Sequence, residues 1–171
     1  MASDAVVVAV YRTHDDAEEA VKALLSAGLD PSKLSSAGKG ADTEEHAVGH
    51  HSTGDWMLHW GRLGVFWGTI GGLLLGSAFF VIPGIGPLVA AGPLASAVVG
   101  AVEGTVAFGG LGALAAGLFS TGVPPESAVK YEAAIKADQF LLTSHGSPDE
   151  AQKAQEVLER TNHAGLDLHA P

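Results

Sequence analysis

The side chains best suited to chemistry are concentrated in residues 44–62, EEHAVGHHSTGDWMLHWGR. Four histidines, His46, His50, His51 and His59, stand there with Glu45 and Asp55 close by. On a helix His46 and His50 would share one face at i, i+4, the spacing of a two-histidine metal pair. The pair lacks the Glu of an HExxH helix, and sequence assigns it no third ligand. The competing reading is a polar lead-in whose imidazoles are solvated and titrate near the ordinary histidine value. We adopt the solvated reading, with no metal and no cofactor. His46, His50 and His51 are the candidates if a metal binds.

The second chemically distinctive residue is Glu103. It is the only ionisable residue between positions 63 and 125. Such an acid suits either a proton or ion site in a helix bundle, or a polar lock between subunits. A single acid with no basic partner makes a poor relay, so the lock is the expected role. Trp56, Trp60 and Trp67, with Arg62, bracket the start of the same apolar stretch. Tryptophan is favoured at membrane interfaces and at protein interfaces, so these three imply burial without choosing the medium.

Enzyme signatures are absent: the chain has no GxSxG, no GxxxxGK[ST] and no GxGxxG after a strand. The GIG of Gly84 to Gly86 lies between Pro83 and Pro87, the wrong context for a phosphate loop. No catalytic residue is therefore expected. With no cysteine, disulfides, thiol catalysis and cysteine-based metal sites are excluded. A net charge of -10 and the lack of a basic block argue against nucleic acid as a partner. The opening MASDAVVVAVYRTHDD has neither the basic start nor the long apolar core of a signal peptide, so the polar parts are expected in the cytoplasm.

The elements that would position these residues form two polar flanks around an apolar insert. AVVVAVY (residues 5–11) reads as a strand. Thr13 then caps a helix with Ala17, Ala20, Val21, Leu24 and Leu25 at helical spacing, ended by Gly28. LSSAGKG (34–40) is a weaker strand. In the second flank residues 123–139 read as a helix begun by proline, and FLLTSHG (140–146) as a buried strand. Ser147 caps a further helix expected to close on Gly165, and LDLHA (166–170) is a short last strand. The order is that of an α+β, split ferredoxin-like domain with a long insert. The divisions are 1–41 for its first half, 42–61 for the lead-in, 62–122 for the insert, and 123–171 for a connector helix and the second half.

The insert reads as a helical hairpin. Residues 63–82 carry no charge and would span about 30 Å as a helix, the thickness of a bilayer core. Gly64, Gly68, Gly72 and Gly76 recur at a strict four-residue step and line one face, as in GxxxG packing. Ala97, Ala101, Thr105, Gly109, Ala113 and Gly117 form a second small-residue stripe, with Gly100, Gly104 and Gly112 on a neighbouring row. The first run gains roughly 3–7 kcal/mol on membrane insertion, whereas the second is close to break-even because it carries Glu103. Pro83, Gly84, Gly86 and Pro87 mark the reversal between the two.

VVAVYRTHDDAEEAVKALLSAGL, EEHAVG…TGD, VIPGIGPLVAAGPL and KYEAAIKADQFLLTSHG together resemble a bacterial family of general stress or heat-induced stress proteins. The resemblance covers nearly the whole chain, and IPGIGP…AGP and KYE…KAD carry it most specifically. It implies a fold and a stress context but no reaction and no catalytic residues. In that family aromatic residues are more usual at the positions of His50 and His51, which argues against a shared metal role.

The sequence therefore describes a non-enzymatic protein whose partner is itself. Its glycine-zipper hairpin would drive homo-oligomerisation in or on the cytoplasmic membrane, with membrane lipid as the second partner. The alternative is a soluble scaffold, shell or filament in which hairpins from many copies bury one another. A third reading is a metal- or small-ligand-sensing module using residues 46–51 or a free sheet face.

Overall fold

The computed structural model describes residues 4–39, 77–82, 86–103 and 112–170, with the backbone alone at 77–82, 86, 87, 102 and 103. In chain order the elements are β1 (Ala5–Tyr11), α1 (His14–Ser26), a 3-10 turn (Pro31–Lys33), β2 (Leu34–Lys39), β3 (Ser77–Ile82) and β4 (Gly86–Ala91). There follow α2 (Pro93–Glu103), α3 (Ala113–Ser120), α4 (Pro125–Lys136), β5 (Phe140–Gly146), α5 (Pro148–Leu158) and β6 (Gly165–His169). The fold class is α+β.

The strands form one antiparallel sheet in the order β3-β4-β2-β5-β1-β6. Among the described residues β3 and β6 are its edges. β1 is buried along its whole length because both of its faces are covered. Ala5, Val7, Ala9 and Tyr11 pack with Ala17, Val21 and Leu24 of α1 and Ala151, Ala154 and Leu158 of α5. Val6, Val8 and Val10 face the opposite way, onto a core that includes Leu94, Val98, Leu114, Leu118, Tyr131 and Ile135 of α2, α3 and α4. Strand alternation thus splits one apolar segment between two cores. That explains its unbroken run of apolar residues.

The flanks follow their local signals. Thr13 accepts a hydrogen bond from the Asp16 N–H and begins α1, with Asp15 and Asp16 in its first turn. Ser147 and Glu150 form a reciprocal capping box at the start of α5. One expectation fails here. α5 does not run to Gly165 but ends at Leu158, where the Tyr11 hydroxyl meets Thr161 Oγ1 at 2.7 Å beside the helix end. Gly165 instead opens β6 opposite Val10.

The larger correction concerns the insert. Residues 77–82, expected as the end of a bilayer-length helix stopped by Pro83, form strand β3. The chain does reverse between Ile82 and Gly86, but the reversal joins two strands of a hairpin. β4 then pairs along β2 from Lys39↔Leu88 to Ser36↔Ala91. SAFFVI and LVAA are as compatible with a strand as with a helix, and short apolar runs bounded by Gly and Pro carry no periodicity to separate the two. For LVAA the backbone edge of β2 decides between them, since pairing satisfies its N–H and C=O groups, and SAFFVI in turn pairs with the other edge of β4. Pro87 lies just beyond the last β2 pair and opposite Val81 of β3.

The second run is not one helix either. It divides into α2, of eleven residues, and α3, of eight, and Gly112 in extended conformation starts the second anew. No helix among the described residues is long and apolar enough to cross a membrane. The expected transmembrane helix is overturned on that finding, and membrane association loses the element on which it was built.

Candidate functional site

The sheet carries a helical layer on each face, and the layer of α2, α3 and α4 contains the unusual surface. Its first two helices have no charged residue except Glu103, the last residue of α2. Leu94, Val98, Leu114 and Leu118 point into the core. The outward positions of α2 are Pro93, Ser96, Val99 and Gly100, and Val99 is 41% exposed. Phe119 at the end of α3 is 42% exposed and Val129 on α4 is 51% exposed. Of the four large hydrophobic side chains exposed among the described residues, these three lie on this one layer. The fourth, Leu168, is on β6.

Small residues let the two apolar helices approach closely. A Cβ built at Gly117 would sit 3.0 Å from Val98 Cγ2 and 3.2 Å from the Val98 backbone. Gly117 belongs to the stripe read from the sequence, so small-residue packing occurs here within one chain, between α2 and α3. Gly100 is different: it is exposed, with open space where a Cβ would stand.

Each of these helices is anchored by a side chain from the polar part of the molecule. Ser35, fully buried on β2, accepts a hydrogen bond from the Leu94 N–H at 3.0 Å and so caps α2. Gly92, at φ +81°, makes the turn before it, where a Cβ would collide with the Leu34 carbonyl oxygen. Glu132 of α4 accepts from the Ala115 N–H at 2.9 Å, so its carboxylate does what a capping side chain at Gly112 would do. The same carboxylate occupies the space of a Gly112 Cβ and pairs with Lys136 at 3.2 Å. Local sequence reasoning missed both anchors, because each partner is remote from the helix it caps.

A polar cluster fastens α4 to the edge strand. Tyr131 Oη lies 2.8 Å from Asp167 Oδ2 and 2.8 Å from His169 Nε2, and Lys130 Nζ reaches the same Asp167 oxygen at 3.2 Å. The phenol has one proton and gives it to the carboxylate, so His169 Nε2 must be the donor to Tyr131. Burial, reinforced by the Asp167 charge, pushes the Tyr131 hydroxyl well above its ordinary value. Burial alone would raise the Asp167 carboxyl too, but the hydrogen bonds from Tyr131 and Lys130 hold it below the usual range. His169 is lowered by burial against the opposing pull of Asp167. A phenol held protonated is no base, and the cluster contains no activated nucleophile. Its chemistry is that of a clamp between helix and strand.

The other predicted site residues fall as follows. His46, His50, His51, Trp56, Trp60, Trp67, Gly64, Gly68, Gly72, Gly76, Pro83, Gly84, Gly104 and Gly109 lie outside the described residues. Glu103 ends α2, and Gly86 and Pro87 open β4. Among the described residues no group of three or more His, Cys, Asp or Glu could hold a metal. Comparison with protein-family models, with curated proteins and with solved structures finds no match.

Proposed function

We propose that this is a non-enzymatic, self-associating protein in which copies of the chain bury one another through the α2–α3 layer, forming a homo-oligomeric scaffold, shell or filament. The observation that carries this reading is that α2 and α3 hold no charged residue but Glu103, while Val99 and Phe119 stand exposed on them. Contiguous apolar patches on monomers rarely exceed a few hundred Å², and larger ones mark interaction sites. The sheet beneath acts as a rigid platform. Its strands β2-β5-β1-β6, with α1 and α5 on one face, support the reading of a split ferredoxin-like unit. On that reading β3, β4, α2 and α3 belong to the insert, which extends the sheet and covers its second face.

The test is analytical ultracentrifugation of the whole chain without detergent, beside the variants Val99→Asp and Phe119→Asp. Wild type should sediment as an oligomer at tens of micromolar, and either aspartate should shift it towards monomer while circular dichroism stays unchanged. A monomeric wild type would sink the proposal, and so would oligomers indifferent to both charges.

A further inference from the structure

We infer that His145 is an acid-sensing group at the junction between the sheet and the α2–α4 layer. It lies on β5 opposite Val6 of β1, and alternation puts it on the face of Leu141, the face that this layer covers. Both of its ring nitrogens are buried, and neither makes a hydrogen bond of good geometry. Around the ring are the carbonyls of Lys33, from the 3-10 turn, and Thr121, from the link between α3 and α4. The Asp4 carboxylate, just ahead of β1, is the charge that acts on it. The Lys33 ammonium is engaged elsewhere, with Glu150 at 2.8 Å.

This arrangement is contradictory in an informative way. A neutral imidazole has one N–H and one lone pair, and the lone pair gains nothing from carbonyl oxygens. An imidazolium has two N–H donors and no acceptor, which two carbonyls and a carboxylate would suit. The polar surroundings therefore match the charged ring, whereas the dryness of the site favours the neutral one. Burial wins and holds the imidazole below its ordinary value.

Proton uptake then acts on the backbone around the ring, and in the proposal on its α3–α4 side. That side is the Thr121–Gly122 link, where Gly122 takes φ +101° and passes over Val6, a Cβ there lying 3.5 Å from Val6 Cγ2. Drawing the Thr121 carbonyl onto the ring, or admitting water beside it, loosens the connection that holds α3 against α4. The sign follows from linkage. A folded-state value below the unfolded one means that the unfolded chain binds more protons. The stability contributed by neutral His145 is complete above about pH 6.5. It is lost progressively as pH falls from there through the lowered folded-state value. His14, beside the Phe140 ring, and His169, on Tyr131, are also lowered by burial, so their contributions must be separated.

The experiment is urea unfolding of the full chain between pH 8 and pH 5 for wild type, His145→Gln, His14→Gln and His169→Gln, with hydrogen exchange followed over residues 117–124. Wild type should lose stability below about pH 6.5, and H145Q should remove the largest share of that slope. Exchange over 117–124, corrected for intrinsic rates, should accelerate about tenfold or more on acidification in wild type but not in H145Q. An unchanged slope in H145Q, or exchange in that segment indifferent to pH, overturns the inference. If H145Q does not fold, titration of the wild-type histidine rings by NMR decides instead. A His145 ring titrating well below the other histidines, with coincident shifts at Lys33 and Thr121, supports the inference. A ring titrating at the ordinary value overturns it.

Discussion

α1 and α5 on one face of the sheet, and α2 and α3 on the other, are built on opposite principles. α1 and α5 each bury one apolar stripe, Ala17, Ala20, Val21 and Leu24 in the first and Ala151, Ala154 and Leu158 in the second. Their outer faces carry Asp15, Glu19, Lys22, Lys153 and Glu156, all charged, and water completes the structure there. Both helices are capped by neighbours in sequence, Thr13 and Ser147. α2 and α3 are apolar inside and uncharged outside, and their caps, Ser35 and Glu132, come from elsewhere in the fold. The first pair is thus specified locally and finished by solvent. The second is specified by the tertiary structure and leaves Val99 and Phe119 exposed.

Substitutions can break or sharpen this contrast. The largest expected effect is on the shared requirement for burial: Leu118→Ala in the apolar layer and Leu24→Ala in the charged one should each cost about 2–5 kcal/mol in urea unfolding. Equal costs would show that the layers differ in their outer surfaces and not in their cores. Next comes Glu132→Ala, which leaves the buried Ala115 N–H unpaired and should cost about 1–3 kcal/mol. Because it releases α3, it should also change the sedimentation profile, whereas the local-cap variant Ser147→Ala should cost about 1 kcal/mol and leave sedimentation alone. If both variants behave alike, the distinction between remote and local caps has no consequence for the surface. The smallest effect belongs to Lys22→Ala, whose ion pair with Glu18 is more than half exposed on the lysine side. It should lie within about 0.5 kcal/mol of wild type, and a larger loss would contradict the view that solvent finishes that face.

The same contrast explains what could be read from the chain. AVVVAVY and FLLTSHG form strands over the residues expected, because β-branched and apolar runs between turn residues have few alternatives. Thr13 and Ser147 begin helices where capping chemistry placed them. The insert was legible only as apolar. SAFFVI lacks charge and alternation, so its conformation followed from pairing with β4, itself laid on the β2 edge, and not from its own pattern. For the candidate surface, the charge-free stretch holding Glu103 was evident, and Gly117 did prove to be a close-packing position. Its two anchors were not evident: Ser35 is 59 residues from Leu94, and Glu132 is an ordinary helix acid until α3 is laid against it.

By itself, then, the sequence determined the strands and helices of the polar flanks and the caps that begin the helices. Those features depend on residues within a turn or two of one another, where periodicity and capping act directly. Only the tertiary structure decided that the apolar insert divides into a hairpin and two short helices, that Tyr131 and His169 clamp the sheet edge across 38 residues, and that both ring nitrogens of His145 are buried. A glycine-rich apolar run meets many partners almost equally well. Its conformation is settled by whichever unpaired backbone edge and remote side chains satisfy its polar groups when the chain closes.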